Sequence, residues 1–172
     1  MMNKKYAEGT SVSIERSQNE IKRNLNRHGA TGFLFGEQGE KAAILFELKG
    51  RQYRMGVTYP PRGKFQNMQP NQYTRVMNAK QRAENAYEQE KQRLWRGLAL
   101  LVKAKLEAIE SGISTLEMEM QPYTVMPSGQ TAGEWLEPQI ERVYKTGKMP
   151  PLLPGSANHK MIETPYIEGE VV

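Results

Sequence analysis

The chain has 172 residues, with 24 Lys and Arg against 19 acids for a formal net charge of +5, and it contains no cysteine. All nineteen acids are Glu, Asp is absent, and the only histidines are His28 and His159. Disulfides and thiolate metal sites are thereby excluded, the usual zinc and Ser-His-Asp recipes lack their parts, and neither a metal nor another cofactor is expected.

The length suits one domain. No apolar run approaches the ~20 residues of a membrane span, and the N-terminal string MMNKKYAEGTSVSIE lacks a signal-peptide core, so a cytoplasmic protein without a membrane partner is expected. Charge is distributed unevenly. Residues 49–96 hold eleven Lys and Arg against three Glu, an excess of +8, whereas residues 1–48 carry about +1 and residues 97–172 carry −4. Such a lopsided map is the footprint of a surface that meets phosphate; the competing reading is a solvated helix face beside a basic loop.

The first predicted element is a helix from Ser13 or Ser17 to His28. Ser17-Gln-Asn-Glu20 has capping-box spacing, Ile14, Ile21 and Leu25 form one stripe, Lys22, Arg23 and Arg27 lie off it, and Gly29 supplies the stop. An antiparallel meander of three strands is expected next. Phe33-Leu34-Phe35 runs into a turn at Gly36–Gly39, Ala43–Leu48 ends at Lys49-Gly50, and Arg51–Tyr59 stops at Pro60-Pro61. In the third run Tyr53, Met55 and Val57 alternate with Gln52, Arg54 and Thr58, which places Arg54 on a wet face.

Residues 60–77 have no period and are long for a connection, and they interleave Arg62, Lys64 and Arg75 with Phe65 and Tyr73. Rings beside cations suit the stacking of nucleobases, and here they equally suit pinning the loop to the domain. A long helix is then expected from Asn78 to Met120. Trp95, Leu98, Val102, Leu106, Ile109, Ile113, Leu116 and Met120 form its seam, its first half is basic through Lys80, Arg82, Lys91, Arg93 and Arg96, and Gly112 kinks or divides it.

Tyr123–Gln130 reads as a short strand and turn. Thr131-Ala-Gly-Glu134 is a second capping box opening a last helix with Trp135, Leu136, Ile140, Val143 and Tyr144 on one face and Gly147 as its stop. Pro138 either kinks that helix or moves its start toward Glu137. Met149–Pro154 reads as an extended apolar strap. The expected organisation is therefore an α+β domain over residues 1–154 followed by a flexible acidic tail over 155–172.

Among catalytic possibilities, Glu107, Glu110, Glu117 and Glu119 share the long helix and offer a carboxylate set for a Glu-dependent nuclease; the simpler reading is a solvated acidic face. His28 before Gly29 reads as a cation at a helix C-terminus. No P-loop, G-x-G-x-x-G or G-x-S-x-G string occurs. A non-enzymatic nucleic-acid-binding protein is expected, with Lys49, Arg51, Arg54, Arg62, Lys64, Phe65, Tyr73, Arg75, Lys80, Arg82, Lys91, Arg93 and Arg96 as its contact set. Tyr87 is a further stacking candidate.

The order helix, meander, basic connection, long helix over residues 13–120 resembles the core of phage single-strand annealing recombinases. That resemblance implies single-stranded DNA in a basic groove between sheet and helix, in rings or filaments. The same order is similar to the double-stranded-RNA-binding domain, although here roughly 18 residues stand where that domain has a short loop. The strings GATGFLFG, LALLVKAKLEAIESGI and GKMPPLLPG resemble those of small uncharacterised phage and prophage proteins, which implies a mobile-element setting and assigns no catalytic residue. A phage factor that inhibits a host defence system by meeting an acidic protein surface is the alternative from another class. Self-association is also expected, because a three-stranded sheet has two open edges.

Overall fold

A computed structural model describes residues 6–67, 69–70 and 74–148. The architecture is α+β: helix α1 (Ile14–Arg27), strands β1 (Thr31–Gln38), β2 (Lys41–Leu48) and β3 (Arg51–Thr58), a 3₁₀ turn (Arg62–Phe65), helix α2 (Ala79–Glu110), short helix α3 (Leu116–Met120) and helix α4 (Ala132–Thr146). The chain divides into two compact units, Met1–Trp135 and Leu136–Val172, with the boundary inside α4. The expected strap at Met149–Pro154 and the tail beyond it lie outside the described residues.

The cap of α1 is Ser13, whose Oγ accepts from the Arg16 backbone N–H, and not Ser17. Ser17 lies one turn inside the helix, fully buried, and its hydroxyl donates to the Ser13 carbonyl at 3.2 Å. The spacing Ser-x-x-Glu was present, but the apolar stripe begins earlier, at Ile14, and the helix begins with it.

The sheet is the expected antiparallel meander in the order β1-β2-β3. β1 continues past Gly36, so its turn sits at Gly39-Glu40, between the paired Gln38 and Lys41. Across the sheet, Phe35, Ile44 and Met55 share one inward row, and Phe46 opposite Tyr53 starts the next. The outward rows are Leu34-Leu45-Arg54 and Gly36-Ala43-Gly56. One sheet edge is partly covered: the Val125 N–H donates to the Gln52 carbonyl at 2.8 Å and Thr124 bridges Tyr53, so Thr124-Val125 lies along β3. The expectation of two open edges therefore holds only for β1 among the described residues.

The long helix is divided. α2 ends at Glu110, Gly112 adopts φ 73°, and α3 restarts at Leu116 with Thr115 as its cap. Trp95, Leu98, Ala99, Val102 and Leu106 are buried with Ile21 and Leu25 of α1 and the inner face of the sheet. Ile113, expected in that seam, is 83 % exposed because it falls in the break. Leu116 and Met120 return to the core. Trp95 is the hub of the interior, its Nε1–H donating to the Tyr59 hydroxyl at 2.8 Å and its ring lying 6.1 Å from that of Phe35.

α4 opens with the capping box expected of it. The Thr131 hydroxyl accepts from the Glu134 N–H at 3.2 Å and the Glu134 carboxylate accepts from the Thr131 N–H at 2.7 Å. The helix thus starts at Ala132, with Pro138 inside it, and the alternative start near Glu137 is corrected. Thr131 outweighs the proline because the cap satisfies two orphan donors at once.

Candidate nucleic-acid interface

The basic segment folds so that each of its acids is held by one of its own cations. Arg62 Nη1 donates to both Glu84 oxygens at 3.0 and 2.8 Å, Lys91 Nζ lies 3.7 Å from Glu88, and Arg93 grips Glu90 with two bonds of 2.7 Å. The hydrogen bonds that Arg62 and Arg93 donate to Glu84 and Glu90 raise the pKa of each arginine. Further cations reach acids of other elements. Arg54, on the outer face of β3, donates to Glu134 at 2.5 Å and to the Gly129 carbonyl at 2.9 Å; Lys91 also meets Glu37 at 3.2 Å; Arg96 of α2 pairs with Glu20 of α1. Arg82 donates to the Met77 carbonyl at the start of the helix. Arg54, Lys91 and Arg96 thus tie elements together, Arg93 is held within α2, and phosphate would have to compete with a carboxylate for each.

Lys91 illustrates the electrostatics. Burial of its side chain, which is 13 % exposed, pulls its pKa down, but the Glu37 hydrogen bond and the charges of Glu88 and Glu37 outweigh that and leave it raised. Its ammonium also lies 4.9 Å from the Tyr59 ring centroid. Tyr59 is itself pushed upward, chiefly by burial. Lys91 is therefore a charged component of the interior edge, built into place from three sides.

The cations left over are Lys49, Arg51, Lys64, Arg75 and Lys80, all exposed and none ion-paired with another described residue. They fall into two groups at opposite ends of β3. Lys49 and Gly50 form a two-residue turn with φ 49° and 75°, the left-handed pair that a tight hairpin between twisted strands requires, and this turn projects Lys49 and Arg51 at the sheet end. The register pairs Thr31 with Glu47, so the C-terminal turn of α1, with exposed Arg23 and Arg27, lies at that same end.

The second group, Lys64, Arg75 and Lys80, belongs to the 3₁₀ turn and the approach to and first turn of α2, where a groove of about 310 Å³ is lined by Arg62, Gln66, Lys80, Glu84 and Tyr87 among others. The Arg62 guanidinium carbon stands 4.5 Å from the Tyr87 ring centroid while its side chain remains 63 % exposed. Phe65 meets the same ring edge-on at 5.8 Å and packs on the core, so Phe65 pins the connection, as one of its two expected roles required. Tyr73 lies outside the described residues. Lys64, Arg75 and Lys80 are the free cations of this end.

The acids that neutralise the paired cations are not legible in the sequence. Glu20, Glu37, Glu84 and Glu134 stand between 22 and 80 positions from Arg96, Lys91, Arg62 and Arg54, and no local spacing announces such partners. The four glutamates proposed as a nuclease set do not converge. Glu110 faces His28 Nε2 at 3.3 Å, Glu119 is held by Lys105 at 2.9 Å, and no group of three or more His or Glu among the described residues could hold a metal ion. His28, the C-cap of α1, places Nδ1 2.9 Å from the Asn24 carbonyl, which agrees with its expected place at the helix terminus. No described helix is long and apolar enough to cross a membrane. No known protein family, no curated protein and no solved structure matches the chain.

Proposed function

We propose that this protein binds nucleic acid without catalysing a reaction on it, with single-stranded DNA as the favoured ligand. The observation that carries the reading is the surplus of cations remaining after every acid of residues 49–96 has found a partner: Lys64 in the 3₁₀ turn, Arg75 ahead of α2 and Lys80 in its first turn, where it lines the groove, with Lys49 and Arg51 at the far end of the sheet. Phosphates contribute most of the affinity in such binding and need unpaired Lys and Arg at the surface. Single strands are favoured because the Arg62 guanidinium, braced from one side by Tyr87, offers a planar cation on which an unpaired base stacks. A phage or prophage setting follows from the resemblance of three strings of the sequence and from nothing in the geometry.

Fluorescence anisotropy of random oligonucleotides titrated at several salt concentrations, with and without magnesium, tests the reading. Replacing Lys64, Arg75 and Lys80 with Ala should weaken binding and reduce the salt slope by about 0.7 per lost contact on a single strand. Replacing Lys91 or Arg93 should leave the slope unchanged. Wild-type protein that shows no binding at low salt would sink the reading and turn attention to an acidic protein partner for the same surface. Magnesium-dependent cleavage of the probe would instead reinstate the nuclease.

A further inference from the structure

A second and larger cavity lies on the outer face of the sheet and plays no part in the interface proposed above. It holds about 810 Å³, against about 310 Å³ for the groove at α2. Its floor is the cross-strand row Gly36-Ala43-Gly56, where nothing larger than a methyl group rises from the backbone. The rows on either side wall it in. Leu34 and Leu45 form an apolar wall, and Gln38, Lys41 and Thr58 form a polar one four residues further along the strands, a separation of about 13 Å. Beyond β3 the trough is closed by Pro122, Tyr123 and Glu134, and over β1 it is open, with Leu34 63 % exposed.

The two glycines of the floor are bare for different reasons. A Cβ at Gly56 would stand 2.5 Å from the Ala42 carbonyl oxygen, so the sheet itself excludes a side chain there. A Cβ at Gly36 meets nothing within 4 Å, and its φ lies outside the left-handed region, so neither packing nor backbone geometry requires glycine. Glycine inside a strand weakens it and marks a bulge, a barrel corner or a close approach. The register runs without a shift from Leu34 to Gln38 and the sheet is open, so what Gly36 leaves room for is approach from the trough. The charges specify what approaches. Arg54 and Glu134 neutralise each other at 2.5 Å, and Glu37 is held by Lys91 at 3.2 Å. Lys41 remains: it is exposed and has no partner among the described residues, and neither do the side chains of Gln38 and Thr58 beside it.

We propose that this trough binds a small planar aromatic acid, its ring flat on Gly36-Ala43-Gly56, one edge against Leu34 and Leu45 and its anionic group toward Lys41. A planar ring meets a bare backbone floor over its whole face, whereas a puckered ring touches it at a few atoms. A single negative charge matches the one cation left unneutralised. Sites for small molecules are mostly apolar with a few placed polar groups and span roughly 300–1,000 Å³, a description that this trough meets. Binding here does not depend on the nucleic-acid reading.

The test is titration of the ¹⁵N-labelled full chain with 2-naphthoate, followed through amide chemical shifts. Shifts should centre on Gly36, Ala43 and Gly56, with a dissociation constant on the order of 1 mM or below. 2-Naphthamide, which keeps the rings and loses the charge, should bind about two- to fivefold more weakly, and so should 2-naphthoate to Lys41→Met, the range for an exposed ion pair. Decalin-2-carboxylate, which keeps the charge and loses planarity, should also bind more weakly than 2-naphthoate. Gly36→Val is the decisive change. It adds a strand-favouring side chain where space is open, so thermal stability should be retained or raised, while the floor is filled and the shifts at Ala43 and Gly56 should vanish. Gly36→Ala, with a single methyl, should weaken binding to a lesser degree and keeps the comparison intact where valine does not fold. A wild type without shifts at the floor overturns the proposal, as does a folded Gly36→Val that binds like the wild type or a Lys41→Met that loses nothing. Shifts at the floor produced by a random oligonucleotide and not by 2-naphthoate would overturn it too, and would assign the trough to nucleic acid.

Discussion

The two halves of α2 are held to the protein by different forces. From Ala79 to Leu94 only Tyr87 is buried, and the helix is fastened through Arg62–Glu84 and Lys91–Glu37. From Trp95 onward Trp95, Leu98, Ala99, Val102 and Leu106 disappear into the core, with Arg96–Glu20 at the join. Burial of an apolar side chain contributes about 1.5–3 kcal/mol, whereas ion pairs near the surface contribute about 0–1 kcal/mol. The C-terminal half therefore carries stability, and the N-terminal half can devote its surface to charge. A basic segment of this kind does not become a wholly free basic surface: the cations nearest the core are recruited to fasten elements, and those at the turns and helix start remain available.

That comparison breaks most visibly at Trp95. Trp95→Ala should cost about 3–5 kcal/mol and Leu106→Ala about 2–5 kcal/mol in urea denaturation, the range for large-to-small changes in a core. Trp95→Phe separates packing from polarity, since it keeps a ring and removes the hydrogen bond to Tyr59; a loss of about 1 kcal/mol is expected. If truncations at Lys80 or Lys64 destabilised the fold as strongly as those at Trp95, the division of labour within α2 would be wrong.

A second way to sharpen the comparison is alkaline titration. Burial first, with the charge of Glu37 adding to it, raises the pKa of Tyr59, and the Glu37 and Glu88 contacts leave that of Lys91 raised as well. A group with a raised folded pKa holds its proton more tightly when folded, so its contribution is complete below the unfolded value and is lost as pH rises through the folded one. The unfolded references here are 10.0 for Tyr and 10.5 for Lys. Stability should thus fall above about pH 10, and Lys91→Met together with Tyr59→Phe should flatten the decline. The opposite limb belongs to Glu134, whose carboxylate is held low by the Thr131 N–H above all and by Arg54. Its folded pKa is depressed, so its contribution is present above the ordinary Glu value and disappears as the solution is acidified. Thr131→Ala should remove the reciprocal cap of α4 at a cost of about 1 kcal/mol.

The features legible in the sequence were those written over short separations. The period-two alternation of Tyr53, Met55 and Val57 gave β3 its inward face, and the steps of three and four from Trp95 to Leu106 gave α2 its seam. Thr131 and Glu134 announced α4 because both partners of the cap lie three positions apart. Ser17 misled because a capping box can occur by composition inside a helix whose apolar stripe has already begun. The fate of the cations was illegible for a different reason. Arg54 and Arg51 are chemically equivalent in the sequence and three positions apart, yet Arg54 faces Glu134 across the sheet's outer side while Arg51 lies exposed beside the hairpin turn. The alternation puts Arg54 on the outer face, but only the return of the chain at Thr124–Thr131 along β3 brings Glu134 there to neutralise it.

The smallest expected effect, at Ile113, sits beside Gly112 at the break between α2 and α3, and the pair decides whether the break belongs to the backbone or to the side chains. Ile113 continues the three-and-four spacing of the seam, but at 83 % exposure it touches little, so Ile113→Ala should change stability by less than about 0.5 kcal/mol. Gly112 adopts φ 73°, and a Cβ placed there meets no atom within 4 Å, so the obstacle to alanine is the left-handed backbone alone. Gly112→Ala should cost about 1–2 kcal/mol, the ordinary penalty for an L-residue in that region. The two substitutions therefore rank opposite to their side-chain sizes. If the penalty at Gly112 were absent, the simplest reason would be that the helix runs on through the junction once alanine favours it. Increased helical content in circular dichroism, together with protection of the Ile113 amide from hydrogen exchange, would show that directly. A penalty at Gly112 with none at Ile113 would instead establish that the turn redirects the chain so that Leu116 and Met120 return to the core.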